Sequence, residues 1–322
     1  MRRNIYMEKS TKSEVILSAS TIKQLEDCSY LYYVKKVLKF PDPGNSGAWI
    51  GSILHLIAEV LYNPRHKKYF NILKSSKKLN SCPSIERLVK KHLSKNSINS
   101  PENIELVEVM LETVLNTDFY AEGKEIKGIE REFILKNENP KYSIIGYIDR
   151  LAYCPETGSV EVLDLKSQKK QFTEDELQNN IQAFAYTLAV KKQLIPEAAD
   201  VTVKFILLRY PENPIQQVKV SDTQLAGFEK YLAYMYNIVN NFSEDEARRN
   251  FAYDNPKKKW LCKAGATWEC PARRARDYYA IKQDGKLIKG AFTKEELDKI
   301  VKPGQTIEHL RYEGCPRHNV CI

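Results

Sequence analysis

Residues 159–167 read SVEVLDLKS. A run this apolar, rich in valine and leucine, is expected to be a strand inside a sheet. Side chains alternate along a strand, so Asp164 and Lys166 share one face while Leu163 and Leu165 share the other. Holding a carboxylate and an ammonium on an internal strand costs desolvation unless something binds them. A divalent cation and a phosphate would do so. The preceding stretch, 143–154 (SIIGYIDRLAYC), also reads as a strand, and Pro155, Glu156, Thr157 and Gly158 supply the turn of a hairpin between the two. The hairpin sets Asp149 beside the strand of Asp164, and a register that makes them level is the expectation. Two carboxylates there could hold Mg²⁺ or Mn²⁺, which polarises a phosphoryl group and activates water. Lys166 would orient that water or neutralise charge developing on the phosphate.

Asp-x-Lys alone is a common tripeptide, usually an ordinary ion pair. Its neighbours give it meaning. Residues 127–136 (KGIEREFILK) read as another strand, with Glu130 and Glu132 on one face. Thr173 and Glu176 form a capping-box pattern opening a helix over 174–193, on which Gln182 and Tyr186 are four apart and share a face. Residues 47–62 (GAWIGSILHLIAEVLY) form a very apolar helix carrying His55 and Glu59, also four apart. Each of these has a plain alternative. A histidine in an apolar helix is usually a satisfied core residue, as is a lone tyrosine, Gln182 alone would be surface, and the glutamates could line an exposed strand face.

In order, LSASTIKQLEDCSYLYY, GSILHLIAE, GYIDRL, VLDLKS and QAFAY resemble the PD-(D/E)XK nuclease superfamily, and within it the RecB-like branch of RecB and AddB nuclease domains, CRISPR-associated exonucleases and phage exonucleases. The likeness spans roughly residues 18–240. It implies an α/β fold with a restriction-endonuclease-like mixed central sheet flanked by helices. It also implies that His55 approaches the metal, Asp149 and Asp164 are ligands, and Lys166 is the catalytic lysine. Gln182 and Tyr186 then contact DNA or support the site. Glu130 matches the acidic residue of the first core strand, with Glu132 as the alternative and Glu59 left aside. The expected activity is Mg²⁺- or Mn²⁺-dependent hydrolysis of DNA, by an exonuclease on the strength of the resemblance only. The alternative is a non-catalytic nucleic-acid-binding subunit of a recombination or replication complex, which would have no need of all three of Asp149, Asp164 and Lys166. A zinc-ribbon protein-interaction module is a further alternative. The nucleotide-binding pattern GxxxxGK[ST], HExxH and GxSxG are absent.

The remaining chain sets the frame. Its 322 residues can bury a real core, and residues 1–249 are expected to form the nuclease domain. Helices are expected over 18–38, 84–95, 101–121 and 221–242, and strands over 200–209 and 215–220. Residues 64–100, polar and rich in Lys and Ser, read as an insertion or flexible lobe. The absence of an eighteen-residue apolar run or signal-like start predicts no membrane span and an intracellular protein. The net charge of +9 is compatible with a polyanionic partner, and basic residues cluster over 248–276.

Residues 250–322 read as a small basic, cysteine-rich C-terminal subdomain, with a hairpin around Asp284-Gly285 and a short helix over 293–301 opened by a Thr293–Glu296 capping box. Seven cysteines without a signal sequence argue against a disulfide framework, and four of them follow residue 260. A structural Zn²⁺ on Cys262, Cys270, Cys315 and His318 would staple that subdomain. The resembled exonucleases suggest instead a [4Fe–4S] cluster with one cysteine in the first helix, here Cys28, and others near the C-terminus, here Cys315 and Cys321. This chain lacks the close C-x₂-C that precedes that last pair, with Tyr312 standing where the partner belongs. Cys82 and Cys154 are expected to be unligated.

Overall fold

The computed structural model describes residues 15–42, 44–262 and 269–319. Ser18 caps α1 (Ala19–Asp27) by accepting from the Thr21 amide. The helix expected over 18–38 is broken at Cys28, whose backbone is extended (φ −165°) and whose Sγ accepts from Leu31 N to start α2 (Ser29–Tyr32). A π-turn over Tyr33–Val37 ends the segment. Asn45 caps α3 (Ser46–Tyr62). Residues 64–100 hold two helices rather than one, α4 (Lys67–Ser76) and α5 (Pro83–Lys95). α4 has only Phe70 and Leu73 as buried anchors, too few for a visible period. α6 (Pro101–Asn116), capped by Ser100, completes this helical group.

Then follow β1 (Glu125–Glu138), β2 (Lys141–Cys154) and β3 (Ser159–Lys166), all antiparallel. The expected helix over 174–193 is two. The Thr173–Glu176 capping box opens α7 (Glu174–Gln178), and the Asn180 side chain caps a fresh start at α8 (Ile181–Ala189) by accepting from Gln182 N and Ala183 N. This crossover returns the chain to β4 (Asp200–Leu207), parallel to β3, a pairing that needs a long connection of this kind. β5 (Ile215–Lys219) closes the edge, and α9 (Asp222–Asn240) follows. The result is a five-stranded mixed sheet in the order β1-β2-β3-β4-β5, flanked by helices.

The two faces of the sheet hold separate cores. Val160, Val162, Val203 and Phe205 pack against α1, α8 and α9, while Leu163, Leu165 and Ile206 pack against α3–α6. Strands covered on both sides read as continuous apolar runs, as β3 does along its length and β4 does only over Phe205–Leu207. Arg150 and Glu161 face the α3–α6 side and pair there, fully enclosed, with the guanidinium also donating to the carbonyls of Asp118 and Phe119 beyond the end of α6.

After α10 (Glu244–Ala247) come β6 (Arg276–Gln283), β7 (Lys286–Ala291), α11 (Lys294–Asp298), β8 (Thr306–Tyr312) and α12 (Pro316–Asn319). The hairpin at Asp284-Gly285 forms as expected, and β8 adds the other edge of a sheet in the order β7-β6-β8. The short helix has no capping box, because the Thr293 hydroxyl donates to Glu296 Oε1 instead of accepting from its amide. A third core joins this segment to the N-terminal helices, with Cys28, Tyr30, Val34 and Phe40 packed against Phe251, Tyr278 and Tyr312. No helix among the described residues is long and apolar enough to cross a membrane.

Candidate active site

β2 and β3 pair from Cys154↔Ser159 to Arg150↔Leu163, which sets Asp149 level with Asp164. There the strands part. Leu165 N donates to the Asp149 carboxylate (2.6 Å) rather than to a β2 carbonyl, so a side chain fills the gap in the ladder. On the other side of β2, Ile129↔Arg150 and Arg131↔Ile148 bracket Glu130, placing it opposite Asp149. Three acids from three successive strands thus lie in one row. Glu130 has a left-handed backbone (φ 45°), three residues after a register shift at Lys127. A glutamate there is strained, and such strain persists only where surrounding structure holds it.

α3 brings His55 to this row. Its Nδ1 lies 3.2 Å from Asp149 Oδ1 and 3.5 Å from Glu130 Oε1. Gly51, one turn earlier, allows the approach, since a Cβ there would meet Ser167 Oγ at 2.6 Å. Donor atoms of His55, Glu130 and Asp149 all lie within 4.8 Å of one another, a spacing that suits one metal ion. Burial disfavours the imidazolium, but hydrogen bonds to Asp149 and Glu130 override it and raise the His55 pKa to about 10. Burial, then the charge of Asp164, pushes the Asp149 carboxyl up from its ordinary value, with His55 opposing. These carboxylates are costly without a compensating positive charge.

Asp164, 2% exposed, is held from α8. Its Oδ1 accepts from Gln182 Nε2 (2.9 Å) and Tyr186 OH (2.7 Å), and Gln182 Oε1 accepts from Lys166 Nζ (2.7 Å). The Lys166 ammonium pairs with Asp164 Oδ2 at 2.5 Å. Glu132 is turned away and accepts from the exposed Tyr147 hydroxyl, and Glu59 is exposed on α3. Arg209 was not among the residues expected here; its Nε donates to Ser167 O (2.9 Å) at the lip of an open cleft of about 360 Å³ shared with Lys166, Lys169 and the start of α3.

A second group of chemistry-bearing side chains lies in the third core. Cys28, Cys262, Cys270 and Cys315 come together from four separate segments, every pair close enough for one thiolate to raise the pKa of another. Burial first, then these mutual charges, pushes Cys262 up to about 11 and Cys270 up to about 12. Among the described residues, no three of the donors expected for zinc (Cys262, Cys270, Cys315, His318) lie within 4.8 Å of one another. His318 packs its ring on Tyr253, and its Nε2 is buried without a partner. Cys321 lies outside the described residues, and Cys82 and Cys154 are free thiols away from this group.

A family model for the PD-(D/E)XK nuclease superfamily matches residues 16–285, most of the chain. The chain belongs to the PD-(D/E)XK nuclease superfamily. It is therefore of nuclease type, and nucleases of this superfamily use divalent metal ions, a role for which His55, Glu130 and Asp149 are suitably grouped. Among solved structures, this PD-(D/E)XK chain is similar to that of a protein assigned as an exonuclease from Eubacterium rectale, with 14% identity over 79% of this chain and 91% of that one, at a TM-score of 0.44. No curated protein matches.

Proposed function

We propose that the chain is a divalent-metal-dependent deoxyribonuclease, acting from DNA ends in recombination, repair or replication. The observation that carries the chemistry is the convergence of His55, Glu130 and Asp149 beside the Asp164–Lys166 pair. Glu130, Asp149 and His55 would hold Mg²⁺ or Mn²⁺, with Asp164, paired to Lys166, on the adjacent strand. When bound, such an ion polarises the phosphoryl group and makes water a nucleophile near neutral pH. Gln182 and Tyr186 position Asp164, and Gln182 also fixes the Lys166 ammonium, whose charge faces the phosphate as negative charge grows on it. Gln182 and Tyr186 are thus positioning residues. The choice of DNA and of ends rests on the resemblance to RecB-like exonucleases.

End-labelled DNA incubated with Mg²⁺ or Mn²⁺ tests this. Wild type is expected to digest from an end, and Asp164→Ala and Lys166→Ala to lose on the order of a thousandfold or more in rate. Intact DNA under every metal and end structure would favour the binding-only alternative.

The four-thiol group supports a second metal. Thiolates around one Zn²⁺ sit about 3.8 Å apart, as bond lengths near 2.3 Å demand. A set that is mutually coupled, yet has no three thiols within 4.8 Å, suits a wider cofactor. Cys28, Cys262, Cys270 and Cys315 would hold an iron–sulfur cluster and tie the first helices to the C-terminal sheet. Purified protein should be brown and carry about four irons per chain. Colourless protein with one zinc would restore the zinc alternative.

A further inference from the structure

The chain's surplus charge is not spread over it. Residues 64–100 contain ten Lys and Arg against a single Glu, while the other 285 residues hold forty of each sign. The entire net charge of +9 therefore resides in the segment that builds α4 and α5. All ten basic residues are exposed. In the cluster over 248–276, Arg248, Arg249, Lys258, Arg273 and Arg274 pair with acids, through Glu244, Glu246, Asp27 and Glu269.

Within the lobe the charges separate by role. Lys77 and Lys78 pair with Glu112 and Glu108 of α6, and Lys90 pairs with Glu86. On α5 the buried face is Ile85, Val89 and Leu93. Arg87, Lys91 and Lys95 follow at the same four-residue spacing, two positions on, and so line the outward face. Like charges four apart on a helix repel. Among the described residues none of these three has an acidic partner. The stripe rises about 6 Å per step, close to the spacing of successive phosphates along an extended strand. The lobe is anchored on α3, whose His55 and last residue, Tyr62, are roughly 10 Å apart along the axis.

We infer that the α4–α5 lobe is a second nucleic-acid contact, in which Arg87, Lys91 and Lys95 take backbone phosphates of the substrate several nucleotides from the scissile bond. The choice of a nucleic acid over another polyanion rests on the nuclease reading. The binding itself needs no hydrolysis, so the two can fail separately. The contact is to phosphate, so it is blind to sequence and sensitive to salt.

The test is fluorescence anisotropy of full-length protein with labelled 30-nucleotide and 4-nucleotide DNA in EDTA, across a salt series. The triple variant Arg87→Gln/Lys91→Gln/Lys95→Gln is compared with a charge-matched control, Lys286→Gln/Lys289→Gln/Lys299→Gln, on β7 and at the end of α11. The lobe variant should bind the long DNA on the order of tenfold more weakly and flatten the log–log salt slope by about two to three. The 4-nucleotide DNA should not distinguish it from wild type. Equal losses in both triple variants would show bulk charge only, and an unchanged lobe variant would show no contact. Either overturns the inference, as would loss of binding to anionic vesicles but not to DNA.

Discussion

At the scale of single residues, chemistry depends on how few degrees of freedom the acids retain. Asp164 is clamped by Gln182 and Tyr186, and Lys166 by Gln182 and Asp164. Gln182→Ala should therefore lower kcat about tenfold to a hundredfold with little change in KM, as loss of a group orienting a ligand does. Single-turnover digestion checks it, and a KM effect alone would mean that Gln182 only binds substrate. Much of this was legible in sequence. Strand alternation placed Asp164 with Lys166, and the i, i+4 spacing placed Gln182 with Tyr186. The choice of Glu130 over Glu132 came from the resemblance and not from strand alternation, because it follows from pairing opposite Asp149 and a left-handed backbone that the full sheet imposes. Arg209 was invisible for a similar reason, since its partner is a backbone carbonyl forty-two positions away.

At the scale of elements, strands were easier to read than helix ends. β3 and its hairpin partner announced themselves by composition and turn residues. The breaks at Cys28 and Asn180 did not, because each is a side chain capping a new helix within a stretch of continuous helical pattern. β8 escaped because its pairing partner is β6, not a neighbour in the chain. The C-terminal sheet docks closely on the N-terminal segment at Gly290, where a Cβ would meet Lys39 O at 2.0 Å. Gly290→Ala should lower the melting temperature by several degrees, a cost of about 1–3 kcal/mol for overpacking, and differential scanning calorimetry would show it. No shift would mean that this contact opens freely.

At the scale of the whole molecule, the sheet must serve two unlike cores while carrying buried charge on both faces. On the face opposite Asp149 and Asp164, Glu161 is disfavoured by burial, yet its hydrogen bond from Lys204 and the charges of Arg150 and Lys204 hold its pKa below the ordinary 4.5. A depressed carboxylate stabilises the fold fully above its unfolded pKa and loses that contribution as pH falls through the folded value. Glu161→Gln leaves Arg150 enclosed without a counter-charge. It should cost about 3–5 kcal/mol near neutral pH, with the gap to wild type shrinking below pH 4.5. Urea titrations at both pH values test this, and a gap independent of pH would assign the loss to packing.

The central claim is that Asp149, with Glu130 and His55, builds one metal site. Mn²⁺ binding followed by electron paramagnetic resonance, on wild type and on Asp149→Asn with unchanged circular dichroism, tests it most directly. Wild type should take up Mn²⁺ with the variant weakened at least a hundredfold. Equal binding by both would place the ion elsewhere and contradict the account.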